Sequence, residues 1–271
     1  MPTAADQAAR FRALHEGAEP LVMPNPWDAG SARLLAHLGF KALATTSSGF
    51  AGTLGRLDGN VTKAEALAHG AAIAAATDLP VNGDLENGFG DAPEAVAATI
   101  AEAIGAGLAG GSVEDYTGRP DEPIYERSLA VARVAAAAEA AHAGPVPFVL
   151  TARAENLLHD RADLTDTIER LQAFQEAGAD VLYAPGLRDL DQITTVIRSV
   201  DRPVNVLLLP GGPTVPELAE AGVRRISVGG ALSYVAAGAV AAAARELLEH
   251  GTTSFMPQVV DGARVARQAY R

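Results

Sequence analysis

Eight short apolar or β-branched runs, each followed by a longer stretch of helical character, recur along the chain. This alternation restricts the fold more than any single motif. The runs fall at residues 21–23, 42–46, 80–84, 111–114, 148–152, 181–184, 204–208 and 225–228. Between them lie segments rich in Ala, Leu, Glu and Arg, such as 92–106, 129–143, 164–178 and 215–222. Several close on a glycine suited to a helix C-cap: Gly39, Gly105 or Gly107, Gly178 and Gly222. Strict β-then-α alternation predicts a parallel sheet, because parallel strands need crossover helices. Eight such units favour a closed (β/α)8 TIM-type barrel over an open doubly wound sheet. The 271 residues suit one such barrel. Residues 1–271 are therefore read as a single α/β domain, with a C-terminal extension over about 235–271. The extension is longer than one closing helix needs, so it is expected to pack on the barrel or on a neighbouring subunit.

The formal net charge of −12 argues against nucleic acid, whose phosphates want a basic surface. It does not exclude anionic substrates, since a bound metal can reverse the sign of the field locally. The chain has no cysteine, which removes disulfides, thiolate zinc and a thiol nucleophile. That fits a reducing compartment, and the mixed, charged N-terminus does not read as a signal peptide, so a cytoplasmic location is expected. No apolar run reaches membrane-spanning length; the Ala-rich stretch 235–248 comes nearest but carries Arg245 and Glu246. It is read as a buried or oligomer-facing helix, and no membrane partner is expected.

Active sites of βα barrels sit where the strands end, and here those ends are polar. The first run leads into Asn25-Pro-Trp-Asp28, the second into Thr45-Thr-Ser-Ser-Gly49. The third ends Asn82-Gly-Asp84-Leu-Glu86, the fourth Ser112-Val-Glu114-Asp115, and the fifth Thr151-Ala-Arg153-Ala-Glu155. Asp84 and Glu86, two apart, share one side of an extended segment, and Glu114 can meet them. Three converging carboxylates repel unless a cation or proton relieves them. Hard oxygen ligands without His or Cys suit Mg²⁺ or Mn²⁺; the competing reading is a set of solvated loop acids. Arg153 has the shape for a substrate carboxylate or phosphonate, or else for an ion pair with Glu114 or Glu155. The Thr46, Ser47, Ser48 turn offers amides and hydroxyls to an anion. Asp58, followed by Gly59, reads equally as an ordinary turn residue. His159 is the one histidine near a strand end and reads as a loop residue.

These strand ends resemble the isocitrate lyase/phosphoenolpyruvate mutase superfamily. Asp84-Leu-Glu-Asn-Gly-Phe-Gly90, Val113-Glu-Asp115, Thr151-Ala-Arg-Ala-Glu155 and Ser48-Gly-Phe-Ala-Gly-Thr-Leu-Gly-Arg-Leu-Asp58 match its motifs in order and spacing. The resemblance implies that Asp84 holds Mg²⁺, with Glu86 and Glu114 acting directly or through water. It implies that Thr46, Ser47 and Ser48 bind the substrate carboxylate, that Arg153 binds substrate, and that Asp58 bears on the reacting group. It also implies a homodimer or homotetramer in which a C-terminal helix is exchanged between subunits.

The chain departs from that family in one segment. The lyases carry a Lys-x-Cys-Gly-His loop after the Glu-Asp strand, but here residues 116–125 contain no Cys, Lys or His. The mutase's Lys and Asn are missing there as well, and Ala184 stands where the mutase has a His. Isocitrate or methylisocitrate cleavage and faithful phosphoenolpyruvate mutase activity are thus not expected. The chemistry implied is a metal-stabilised enolate of a small 2-oxo acid, which needs no thiol. C–C cleavage of an oxaloacetate-like diacid is the leading expectation, decarboxylation being its simplest case. The alternatives are P–C chemistry on a phosphonopyruvate-like acid, as a phosphonomutase or hydrolase, and a non-catalytic ligand-binding barrel.

Overall fold

The structure, a computed structural model, describes residues 2–271. Its strands are β1 (Leu21–Met23), β2 (Leu43–Ala44), β3 (Val81–Asp84), β4 (Gly110–Glu114), β5 (Val149–Arg153), β6 (Val181–Tyr183), β7 (Val204–Leu207) and β8 (Arg225–Ser227). All pair in parallel, in the order β1-β8-β7-β6-β5-β4-β3-β2. Where β1 and β2 meet, Ala44 N donates to Pro24 O at 3.1 Å, which brings the barrel nearly to closure. All eight expected runs are strands, with ends shifted by at most two residues. The largest shift is at β2, where Thr46 leaves the ladder to cap the helix that follows, while the Thr45 amide still donates to Asn82 O at 2.9 Å.

The helices are α1 (Ala4–Leu14), α2 (Ala29–His37), α3 (Ser47–Thr53), α4 (Lys63–Ala76), α5 (Pro93–Gly105), α6 (Arg127–His142), α7 (Leu164–Glu176), α8 (Leu190–Arg198), α9 (Val215–Glu220), α10 (Ala231–His250) and α11 (Met256–Ala269). Side chains start several of them: Thr62 with Glu65 and Thr214 with Glu217 form reciprocal caps, and Asp163 and Asp189 accept from the first-turn amides. Of the two glycines considered for the end of α5, Gly107 takes the left-handed conformation (φ +86°) and Gly105 stays helical.

Strand alternation sorts the side chains into two environments. On β4 and β5, Val113, Leu150 and Ala152 face the helices and join a core containing Ile100, Val134, Leu171 and Phe174. Ser112, Thr151 and Arg153 face inward, so the interior of the barrel is polar rather than aliphatic.

The helix α1 has no counterpart in the sequence reading. It closes the N-terminal end of the barrel, burying Ala8 and Phe11 completely against Leu21, Met23, Ala109, Val149 and Val181. Burial of the Phe11 ring alone contributes about 2–3 kcal/mol. The approach is close enough to require glycine opposite: a Cβ on Gly110 would lie 2.7 Å from both the Phe11 ring and Val149 O.

At the other end of the sequence, α10 contains no buried residue, so it is not the buried helix considered from composition. Its 20 residues also exceed the stretch expected there, and by length and composition alone they could cross a membrane. The next helix, α11, turns back to pack on α2.

Candidate active site at the carboxyl ends of the strands

Arg153, the last residue of β5, organises the mouth of the barrel. Its Nη1 lies 3.2 Å from Asp84 Oδ1 and 3.2 Å from Glu114 Oε2, and its Nη2 lies 2.7 Å from Glu155 Oε1. Its Nε donates to the same Glu155 oxygen at 2.9 Å, and the guanidinium sits 5.0 Å from the centre of the Tyr183 ring. The ion pair with Glu114 or Glu155 weighed from sequence is therefore present with both, and with Asp84 as well.

Asp84 is held from its other side. Its Oδ2 accepts from Ser47 N at 3.0 Å, and its own amide donates to Thr45 Oγ1 at 2.7 Å. The segment expected to be a turn is the start of a short helix, with Thr46 as its N-cap and Thr46 Oγ1 3.2 Å from Ser48 Oγ. The hydroxyls of Thr46, Ser47 and Ser48 border the cavity, while the Ser47 amide is already committed to Asp84.

The carboxylates outnumber the guanidinium. Burial pushes the Glu114 carboxyl well above its ordinary range, against the pull of Arg153, with Glu155 and Asp84 adding to the rise. Glu86, in a left-handed conformation just past β3 (φ 47°), is pushed up to about 7 by burial and then by Asp84 and Asp58. Asp58 stands on an exposed loop at the rim and borders the same space.

Two connected hollows occupy this end of the barrel. The inner one, ≈ 200 Å³, reaches from Ser47 and Ser48 past Asp84 and Arg153 down to Asn205 and Arg225. The outer one, ≈ 710 Å³, is bordered by Glu86, Glu114, Tyr116, Glu155 and His159. Such an inner volume suits a small acid and is too small for a typical drug-sized ligand.

Among the described residues, no three His, Cys, Asp or Glu side chains stand close enough together to hold a metal ion as they are placed. A divalent cation nevertheless fits the donor set. Asp84, Glu86 and Glu114 are hard oxygen donors, their charge is under-compensated, and Mg²⁺ keeps several waters rather than demanding an all-protein cage.

Other residues at the mouth were assigned no site role from sequence. Asp115 is buried and pins the ends of β4 and β5 together, accepting from Glu155 N at 2.7 Å and Arg170 Nη1 at 3.1 Å. Tyr116 stacks on His159, ring centroids 4.1 Å apart, and so joins the loop after β4 to the one after β5. Glu155 was weighed from sequence only as an ion-pair partner of Arg153, and it holds two of that residue's nitrogens.

The phosphoenolpyruvate phosphomutase family profile matches residues 11–248. The crystal structure of a candidate lyase or mutase of Burkholderia cenocepacia J2315 superposes with a TM-score of 0.94 at 54% identity, over 97% of this chain and 95% of that one. The 2-methylisocitrate lyase of Escherichia coli K12 is 32% identical, over 75% of this chain and 70% of its own. The oxaloacetate decarboxylase of Chromohalobacter salexigens is 30% identical, over 87% of this chain and 83% of its own.

Proposed function

The chain belongs to the phosphoenolpyruvate phosphomutase family, within the isocitrate lyase/phosphoenolpyruvate mutase superfamily of enzymes, and from that premise we propose that it cleaves a carbon–carbon bond in a small 2-oxo diacid of the oxaloacetate type. The observation that carries this reading is the joining of Asp84, Glu114 and Glu155 through Arg153 beside a small polar cavity. The loop over residues 116–125, which lacks Cys, Lys and His, argues for a reaction that begins without a loop thiol, amine or imidazole.

Asp84 would hold Mg²⁺ or Mn²⁺, with Glu86 and Glu114 directly or through water. When bound, the ion supplies positive charge to offset the negative charge that gathers on the C2 oxygen as the bond at C3 breaks. Thr46, Ser47 and Ser48 would orient the substrate carboxylate through their hydroxyls. Arg153 would turn its Nη1 edge to the substrate while Nε and Nη2 stay on Glu155, which keeps the guanidinium from swinging. Asp58, at the rim, would bear on the reacting group. Burial of the cavity strengthens each of these electrostatic contacts.

P–C chemistry on a phosphonopyruvate-like acid is the second reading, favoured by one feature: Arg153 and Asp58 border one cavity and could share a phosphonyl group. The deciding experiment is a Mg²⁺-dependent turnover assay followed by proton and phosphorus NMR. The substrates are oxaloacetate, its 3-alkyl analogues and phosphonopyruvate, with Asp84→Ala as control. Pyruvate from oxaloacetate above the metal-only background, lost in the control, supports the C–C reading. Phosphate or phosphoenolpyruvate from phosphonopyruvate transfers the assignment to P–C chemistry. Silence on the whole panel with metal demonstrably bound overturns both.

A further inference from the structure

Arg225 opens β8, points into the barrel and is only 2% exposed. Its hydrogen bonds go to neutral groups: Nε donates to Asn205 Oδ1 at 3.1 Å, and Nη1 to Thr151 Oγ1 at 2.8 Å. No carboxylate among the described residues comes within 4 Å of it. Burial lowers its pKa to about 9, and the charge of Arg153 adds to that effect. An unpaired buried guanidinium is costly, and the loss of charge that relieves buried lysines is out of reach for arginine at neutral pH.

The other buried arginines of the chain are provided for. Arg170 pairs with Asp115 and Asp166. Arg133 has no carboxylate, but it donates to the carbonyls of Asn87, Gly90 and Asp91 and lies 4.1 Å from the centre of the Tyr125 ring. Arg225 has neither arrangement. With three of its five N–H groups unassigned, it borders the inner cavity whose upper end holds Arg153, Ser47 and Ser48.

Its depth follows from the strand register. Arg225 reaches Thr151, which precedes Arg153 by two residues on β5 and faces the same side. Two residues of parallel strand rise about 6.6 Å. The two guanidinia thus stand one inward layer apart along one cavity, the upper one engaged by carboxylates and the lower one free.

We propose that Arg225 is a second anion-binding group of the site, receiving the distal carboxylate of a short diacid whose other end lies at the mouth. The inference rests on the diacid reading above and assigns a residue to the second anionic group. Asn205 positions the guanidinium: its Oδ1 accepts from Nε and its Nδ2 donates to Ser227 Oγ at 3.0 Å, which fixes the amide.

The test is isothermal titration calorimetry in Mg²⁺-containing buffer, with pyruvate, malonate and succinate as probes, on the wild type, Arg225→Met and Arg225→Lys. The Met variant is expected to lose about tenfold or more in affinity for malonate or succinate, the usual weight of a charge-assisted hydrogen bond, and less than about twofold for pyruvate. It should also melt higher than the wild type in the absence of ligand, because an unpaired buried cation has been removed. The Lys variant should recover part of the diacid affinity. Unchanged diacid binding in the Met variant, or an equal loss for pyruvate, overturns the proposal. If the Met variant does not fold, the same comparison on the Lys variant decides, since a lysine keeps the charge and loses the fork. Chloride or phosphate matching malonate in affinity would make this an inorganic anion site and overturn the substrate assignment. The readout is binding, so a failure here leaves turnover untouched, and a failure of turnover leaves this result legible.

Discussion

The amide of Ser47 donates to Asp84 Oδ2 at 3.0 Å, so the first residue of α3 and the last of β3 hold each other across the mouth of the barrel. One carboxylate thereby joins two loops and also heads the expected metal site. Asparagine can keep the joint, through its amide oxygen, while losing the charge. Asp84→Asn is expected to stay within about 1 kcal/mol of wild-type stability, the value of one neutral hydrogen bond. Its turnover should fall by about 100-fold or more, as for other losses of transition-state electrostatics. Mg²⁺ should raise the melting temperature of the wild type, by linkage, and leave Asp84→Asn and Asp84→Ala unmoved. A thermal shift retained in both variants would take Asp84 out of the metal site.

Arg153 is the counter-charge for Asp84, Glu114 and Glu155 together. Arg153→Met would leave three carboxylates facing one another with little solvent, at a cost of about 3–5 kcal/mol at pH 8. Without the guanidinium the Glu114 carboxyl, already raised by burial, rises further above its unfolded value. The lost stability therefore returns as the pH falls and Glu114 takes up a proton. The melting temperature of the variant should lag the wild type most at pH 8 and least at pH 5. A constant gap across that range would mean that the charges are compensated elsewhere.

A second pH effect originates away from the site. His15 is 7% exposed, its Nδ1 lies 2.8 Å from Phe11 O, and its Nε2 has no partner. Burial first, and then the positive charge of Arg225, lower its pKa from 6.5 to about 4. The unfolded chain therefore binds the proton before the folded one does. This contribution is flat above pH 6.5, declines as the pH falls toward 4, and levels off below. A shift of that size corresponds to a loss on the order of 3 kcal/mol. His15→Leu should remove that component, and urea unfolding of both proteins at several pH values between 4 and 7 measures it. Parallel curves would show that His15 does not titrate in this window.

The elements and site residues that the sequence made legible are those set by local pattern. The polar end of the fifth run pointed to Arg153. The placement of acids at strand ends pointed to Asp84, Glu86 and Glu114, and the fold brings these to one mouth. Thr46 to Ser48 read as a turn because Ser and Gly favour turns, yet a hydroxyl followed by three small residues is also how a helix begins. The helix α1 escaped notice because its justification lies in Gly110 and the barrel floor. Arg225 opened the eighth run and was given no role. Its burial is decided by Thr151 and Asn205, which are far away in sequence and adjacent only once the barrel closes.

The exposed apolar surface of the last two helices calls for a partner, and a second copy of the chain is the one proposed. On α10, Tyr234, Val235, Val240 and Leu248 are each more than 60% exposed, and Val260 on α11 is similarly open. Several large apolar side chains left open on one helix are the mark of an interaction surface. The segment that leads from α10 to α11 starts at Gly251, in the left-handed conformation, and α11 returns to α2 of its own chain, where Tyr270 reaches Gly30. The seat on α2 is filled by α11 of the same chain, so α11 of an identical partner would fit it equally well. We therefore expect a homodimer or homotetramer with exchanged C-terminal helices. Val240 and Leu247 are seven apart and lie on one face of α10. The double substitution Val240→Glu, Leu247→Glu should shift the mass in light scattering to one 27.8 kDa chain or to a smaller assembly than the wild type. The barrel should keep its melting transition, because neither side chain is buried in the single chain. A wild type that runs as a monomer at micromolar concentration would end this reading and leave the apolar face without an occupant.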